Sequence, residues 1–225
     1  MTRLALFVIL ISLTATVGTA QTPPSAREIA AYEGLFKAAQ EGDVTKILQL
    51  VEERENVNAR DPRGRTPVHV AAFASQDEAL RALAEAGADM NALDGQAYDV
   101  VTIAAVADDP DLMSLAIELG NDPGLTTSPY DGTALIAAAH LGHVEVVRRL
   151  IAAGAPLDHV NNLHWTAVME AVVLGDGGEN HYAVLDALLK AGSDRTLADR
   201  EGVTPLLHAE SREYSEMAER LRQVD

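Results

Sequence analysis

Residues 131–155 read DGTALIAAAHLGHVEVVRRLIAAGA, and their apolar positions fall into two short helical runs. In the first, Ala134, Leu135, Ala137, Ala138 and Ala139 predict a slim helix against which a neighbour can pack closely. Thr133 stands where its hydroxyl can accept from the free N–H groups of the opening turn. Gly142 supplies a turn. Val144, Val147, Leu150 and Ile151 then recur at helical spacing, and Gly154 closes the second helix as a C-cap. Neither helix is long enough to be stable alone, so the unit requires copies of itself on both sides.

The copies are present. Thr66, Asp99, Thr133, Thr166 and Thr204 each precede an apolar helical run, at spacings of 33, 34, 33 and 38. Gly87, Gly120, Gly154 and Gly192 close the second helices with nearly the same period. A period near 33 with two helices per unit predicts a stacked solenoid. The stretch Gly64-Arg65-Thr66-Pro67-Val68-His69-Val70-Ala71-Ala72 is close to G-x-T-P-L-H-x-A-A, and on it the chain resembles the ankyrin repeat family over about residues 32–225. The resemblance implies an all-α ankyrin-repeat solenoid of stacked helix-turn-helix units with hairpin fingers. The expected organisation is an N-terminal cap at 32–60, repeats at about 61–93, 94–127, 128–160 and 161–198, and a capping repeat at 199–225.

Composition fits thin layers: 48% of residues are hydrophobic but only 4% are aromatic, and alanine supplies much of the difference. The formal charge of −17 argues against nucleic acid and anionic lipid as partners. With no cysteine, disulfides, thiolate catalysis and cysteine-ligated zinc are excluded. Residues 1–20 stand apart. Arg3, an apolar run over 4–17 and the small residues Gly18-Thr19-Ala20 form the pattern of a secretory signal peptide, with Gln21 as the expected mature N-terminus. The run is shorter than the roughly 20 residues that span a bilayer. The protein is therefore expected to be periplasmic or secreted, with no membrane association after cleavage, and to act as a monomer.

Pro23-Pro24 predicts an extended leader over 21–31. The finger NARDPRGR (58–65) then gathers Arg60, Arg63 and Arg65 on an otherwise acidic chain. Asp108-Asp109-Pro110-Asp111 reads as a solvated turn that starts a helix. An insertion in the fourth unit, 176–181, accounts for the 38-residue spacing and reads as a floppy loop, of which 176–180 can be deleted. The terminal helix from Ser215 carries Glu216, Glu219, Arg220 and Arg222, suiting the polar face of a cap.

No sequence pattern for a serine nucleophile elbow, a phosphate loop or a zinc helix occurs, which points to a chain that is not an enzyme and has no cofactor or metal. The family resemblance implies that His69 and His143 are structural. It also implies a protein partner bound along a concave groove built from the fingers and the first helices. The repeat register assigns Arg63, Arg65, Phe73, Tyr98, Val106, Tyr130, His140, His164, Trp165 and Val173 to that groove. The arginines are expected to select an acidic segment of the partner. The alternative is a small metal- or ligand-binding protein or enzyme using the groove histidines together with Asp176–His181; His140 and the turn residue His143 form an H-x-x-H, but no further ligand stands at helical spacing to it.

Overall fold

The structure, a computed structural model, describes residues 21–223, so the expected signal segment lies outside the described residues. A short helix α1 (Ala26–Ala30) precedes six helix pairs: α2 (Gly34–Glu41) with α3 (Val44–Glu52), α4 (Pro67–Phe73) with α5 (Asp77–Glu85), α6 (Val100–Ala107) with α7 (Pro110–Glu118), α8 (Ala134–Leu141) with α9 (Val144–Ala152), α10 (Ala167–Val173) with α11 (Glu179–Lys190), and α12 (Pro205–Ser211) with α13 (Ser215–Arg222). Each first helix packs on the first helix of the next pair. Second helices do the same, as α7 on α9 and α9 on α11, so the chain builds two layers.

The two layers bury their helices differently. The inner first helices are enclosed by a neighbour on each side, and α8 buries Ala134, Leu135, Ile136, Ala138 and Ala139. Second helices face solvent on one side and bury a stripe, which in α9 is Val146, Val147 and Leu150. Thr133, Thr166 and Thr204 accept from the N–H three residues on, Asp99 does likewise through Oδ1, and Gly142 ends α8 at φ +74°.

Three sequence expectations change. Residues 26–30 of the leader are helical, because Ser25 and Glu28 form a reciprocal capping box. The insertion is folded: it leads into α11, which runs for 12 residues against 9 in α9. Arg220 is not on the polar face of the last helix. It is buried, with Nε 2.8 Å from Asp186 Oδ1.

Candidate protein-binding groove

Each finger is built around one side-chain acceptor five residues before a helix cap. Asp61 Oδ1 accepts from the N–H groups of Arg63 and Arg65 at 2.8 and 2.9 Å. Asp94, Asn161 and Asp199 repeat this two-amide grip with Oδ1, and Ser128 does so more loosely with Oγ. The grip closes a tight turn directly before the cap. Adjacent fingers are joined through their backbones: Gly95 N–H donates to Arg63 O, Ser128 N–H to Ala97 O and Asn162 N–H to Tyr130 O, at 2.7–2.9 Å. Gly95 is required at its joint, since a Cβ there would lie 2.4 Å from the Arg63 carbonyl oxygen. This acceptor series was not among the sequence expectations. Its signal is a Ser, Asn or Asp at a constant offset from each cap.

Against this frame the expected groove residues divide. Phe73, Val106, His140 and Val173 each stand seven residues after a cap, at equivalent points of α4, α6, α8 and α10, and form one row. Phe73, Val106 and Val173 are half-buried while His140 is exposed. Tyr98 and Trp165, each one residue before a cap, are half-buried. Tyr130 is 50% exposed and His164 is exposed at a finger tip with φ +65°. His69 is buried. Its Nδ1 accepts from Thr66 N–H at 3.1 Å and its Nε2 donates to Tyr98 O at 3.0 Å, which ties the first helix of one unit to the finger of the next.

Arg65 departs from expectation. Its side chain is 1% exposed, so it is not a rim charge: Nε reaches Asp61 Oδ2 at 2.7 Å and Nη2 reaches Glu28 Oε1 at 2.8 Å. Arg63 is exposed, but its Nε lies 2.9 Å from the same Glu28 oxygen. Glu28 Oε2 meanwhile accepts from the Ser25 N–H and hydroxyl. Those Ser25 bonds, with the arginines behind them, hold the Glu28 carboxyl down at about 2. Burial pushes Asp61 upward, but the hydrogen bonds from Arg65 outweigh it and the carboxyl sits below its ordinary range.

A second carboxylate missed in the sequence is Glu170, the lone charged residue of α10. It is buried, and its Oε1 accepts from Asn161 Nδ2 at 3.0 Å. Its Oε2 has no hydrogen-bond partner; His140 Nδ1 lies 3.3 Å away, off the hydrogen-bonding direction. Asn161 thus links the finger that carries Trp165 to the helix beneath it.

A family model for ankyrin repeats, three copies, matches residues 22–94 and 101–199. The chain belongs to the ankyrin repeat family. Among ankyrin proteins it is 32% identical over 185 residues to the ankyrin repeat protein YahD of Escherichia coli (strain K12), covering 82% of this chain and 92% of that one. An ankyrin repeat domain solved from Acinetobacter baumannii is similar at 42% identity and a TM-score of 0.78, covering 83% of this chain and 95% of its own. A chain from the structure of a Bdellovibrio bacteriovorus predatory endopeptidase with its immunity protein aligns at a TM-score of 0.69 and 23% identity, covering 84% and 97%, a likeness of fold alone. Ankyrin repeats are protein–protein interaction modules, and the fold is typically a scaffold without catalytic activity.

On the side opposite the ankyrin fingers, side chains of one repeat hold carbonyls of the repeat before. His143 Nδ1 donates to Ala105 O at 2.8 Å, His181 Nε2 to His140 O at 2.9 Å and Tyr214 Oη to Gly175 O at 3.1 Å. His140 and His143 therefore face different partners. The insertion is held in the same way: Asp176 Oδ1 lies 2.8 Å from His181 Nδ1 and accepts from Gly178 N–H at 2.8 Å. Among the described residues no group of three His, Asp or Glu is placed to hold a metal ion, and no helix is long and apolar enough to cross a membrane.

Proposed function

We propose that this chain is an exported, monomeric interaction module that binds a protein partner along its ankyrin groove. The observation that carries the reading is the alignment of half-buried aromatic and apolar side chains at two register positions, Tyr98 and Trp165 before the caps and Phe73, Val106 and Val173 after them. Single exposed apolar residues are ordinary, whereas a row repeated at one register is a surface. Aromatic anchors with apolar neighbours carry much of the binding energy at protein interfaces. Tyr130, at 50% exposure on its finger, extends the row outward.

The test is a pull-down from the native compartment, followed by titration of the captured partner against variants. Trp165→Ala and Tyr98→Ala are each expected to weaken binding by about 1–3 kcal/mol while the melting temperature stays nearly unchanged. Intact binding with a large loss of stability would make Trp165 a packing residue and remove the support for the groove. Export rests on the charge and apolar pattern of residues 1–20. Mass spectrometry of the native protein should find an N-terminus near Gln21 in the soluble fraction; an intact Met1 or Thr2 in the membrane fraction would end that part of the reading.

A further inference from the structure

The first finger carries three arginines, two of which are paired with anions, from two different sources. Arg60 Nη1 is spent on the carbonyls of Gly64 and Leu93, at 2.7 and 2.5 Å. Arg63 and Arg65 share one Glu28 oxygen, and Arg65 adds Asp61. A buried guanidinium is costly unless anions and acceptors surround it, and Arg65 is the largest fully buried side chain among the described residues. Even so its Nη1 has no hydrogen-bond partner. The arginine seat is therefore incomplete, and Glu28 is the anion that the repeats themselves do not supply.

Glu28 comes from an element poorly suited to hold its place. Helix α1 has five residues, none of them buried, and a helix of that length has no stability of its own. Of its two arginine pairs, the one with the exposed Arg63 contributes only about 0–1 kcal/mol. Beside the seat is a cavity of about 540 Å³, walled by Thr22 and Glu28 of the leader on one side and by the first two fingers on the other, including Arg63, Gly64, Gly95 and Gln96. Asp94 also lines it, with its Oδ1 turned to the N–H groups of Gln96 and Tyr98. If α1 lifts, the fingers keep Arg60, Arg63 and Arg65 against Asp61 and Asp94, a local excess of one positive charge on a chain whose formal charge is −17.

We propose that the Arg63–Arg65 seat binds an acidic side chain of the partner, and that Glu28 is an internal stand-in which the partner displaces. This deepens the groove reading and rests on it, since the seat adjoins Tyr98 through the Asp94 finger. The capping box makes the stand-in self-contained: Ser25 holds one carboxylate oxygen while the arginines take the other. An incoming carboxylate would meet Arg65 Nη2 and Arg63 Nε in the positions Glu28 now uses, and would leave α1 free in solvent.

The experiment uses a fluorescently labelled hexaglutamate peptide with an amidated C-terminus, and a neutral Gly-Ser peptide of equal length as control, followed by anisotropy at low salt. The wild type should bind hexaglutamate weakly. Glu28→Ala should tighten it about tenfold, the scale of one charge-assisted bond pair regained, and Ser25→Ala should tighten it less. Adding Arg63→Ala to Glu28→Ala should return binding to the wild-type level. Arg65 is left in place because its burial makes its removal a folding experiment. The proposal is overturned if Glu28→Ala, shown folded by its thermal melt, leaves hexaglutamate binding unchanged. It is equally overturned if the neutral peptide tightens as much, or if the double variant keeps the gain. Such a failure is separable from failure of the groove, which is read from Trp165 and Tyr98 with the native partner.

Discussion

Arg65 and Trp165 stand at the same register position, one residue before a helix cap, yet one is enclosed and the other half-open. The difference comes from contacts far along the chain: Glu28, 37 residues before Arg65, bonds the first, while Trp165 stays half-buried. The same dependence on surroundings separates the caps. Thr133 Oγ1 accepts from Ile136 N–H at 3.4 Å. Asp99 accepts from Thr102 N–H at 2.8 Å and also from Asn121 Nδ2 at 2.8 Å, all of it buried. Thr133→Ala should therefore cost about 0.5–1 kcal/mol. Asp99→Ala should cost about 2–4 kcal/mol, because it also takes the nearer of two acceptors from the buried Asn121 amide, leaving Asn91 Oδ1 at 3.2 Å. Leu150→Ala, at a fully buried position, should cost about 2–5 kcal/mol through the cavity it leaves. Denaturant titration of the three variants checks the order; Asp99→Ala no worse than Thr133→Ala would show that the polar cluster contributes nothing.

At the level of elements, the insertion between α10 and α11 is the informative case. Gly177 lies at φ +72°, and a Cβ there would fall 2.5 Å from the Tyr214 ring; Gly154 lies at φ +82° with nothing within 4 Å. Gly154→Ala should cost about 1 kcal/mol, the backbone strain alone. Gly177→Ala should cost about 2–4 kcal/mol, as steric overlap adds to that strain. Equal melting-temperature shifts for the two would mean that the insertion is as loose as its composition suggests. The sequence does announce the helix pairs, their caps and their period, because each is a local pattern within one unit. It does not announce the folding of residues 176–181, because their partners are the His140 carbonyl and Tyr214, about 40 residues away on either side. The groove divides along the same line. The register places Trp165, Tyr98 and the row from Phe73 to Val173, while Glu28 and Glu170 are found only once the repeats are stacked.

For the whole molecule the stack makes stability a property of contacts between repeats, and its polar ties respond to acid in the same direction. Burial pushes His69 below its ordinary value of 6.5. Asp199 is lowered by the bond from His208, Asp186 by Lys190 and Arg220 against an opposing effect of burial, and Glu28 by Ser25 to about 2. In every case the unfolded chain binds protons at a higher pH than the folded one, so stability is complete above the ordinary value and declines as pH falls. His69 acts first, below about 6.5, because the unfolded chain gains a proton there that the buried ring cannot accept while Thr66 N–H occupies Nδ1. The carboxylates follow below about 4.5. One effect runs the other way: a formal charge of −17 repels itself, and acid relieves that repulsion. At about 0.15 M salt the Debye length is about 8 Å, so repulsion between exposed charges is largely screened while the buried ties are not. Urea unfolding at that salt should thus give a plateau above pH 7, a first decline that sets in below about pH 6.5, and a steeper one below about 4.5. His69→Gln should abolish the first decline and keep the second. A wild type whose stability rises from pH 7 to pH 5 would mean that charge repulsion, not the histidine bridge between repeats, governs this stack.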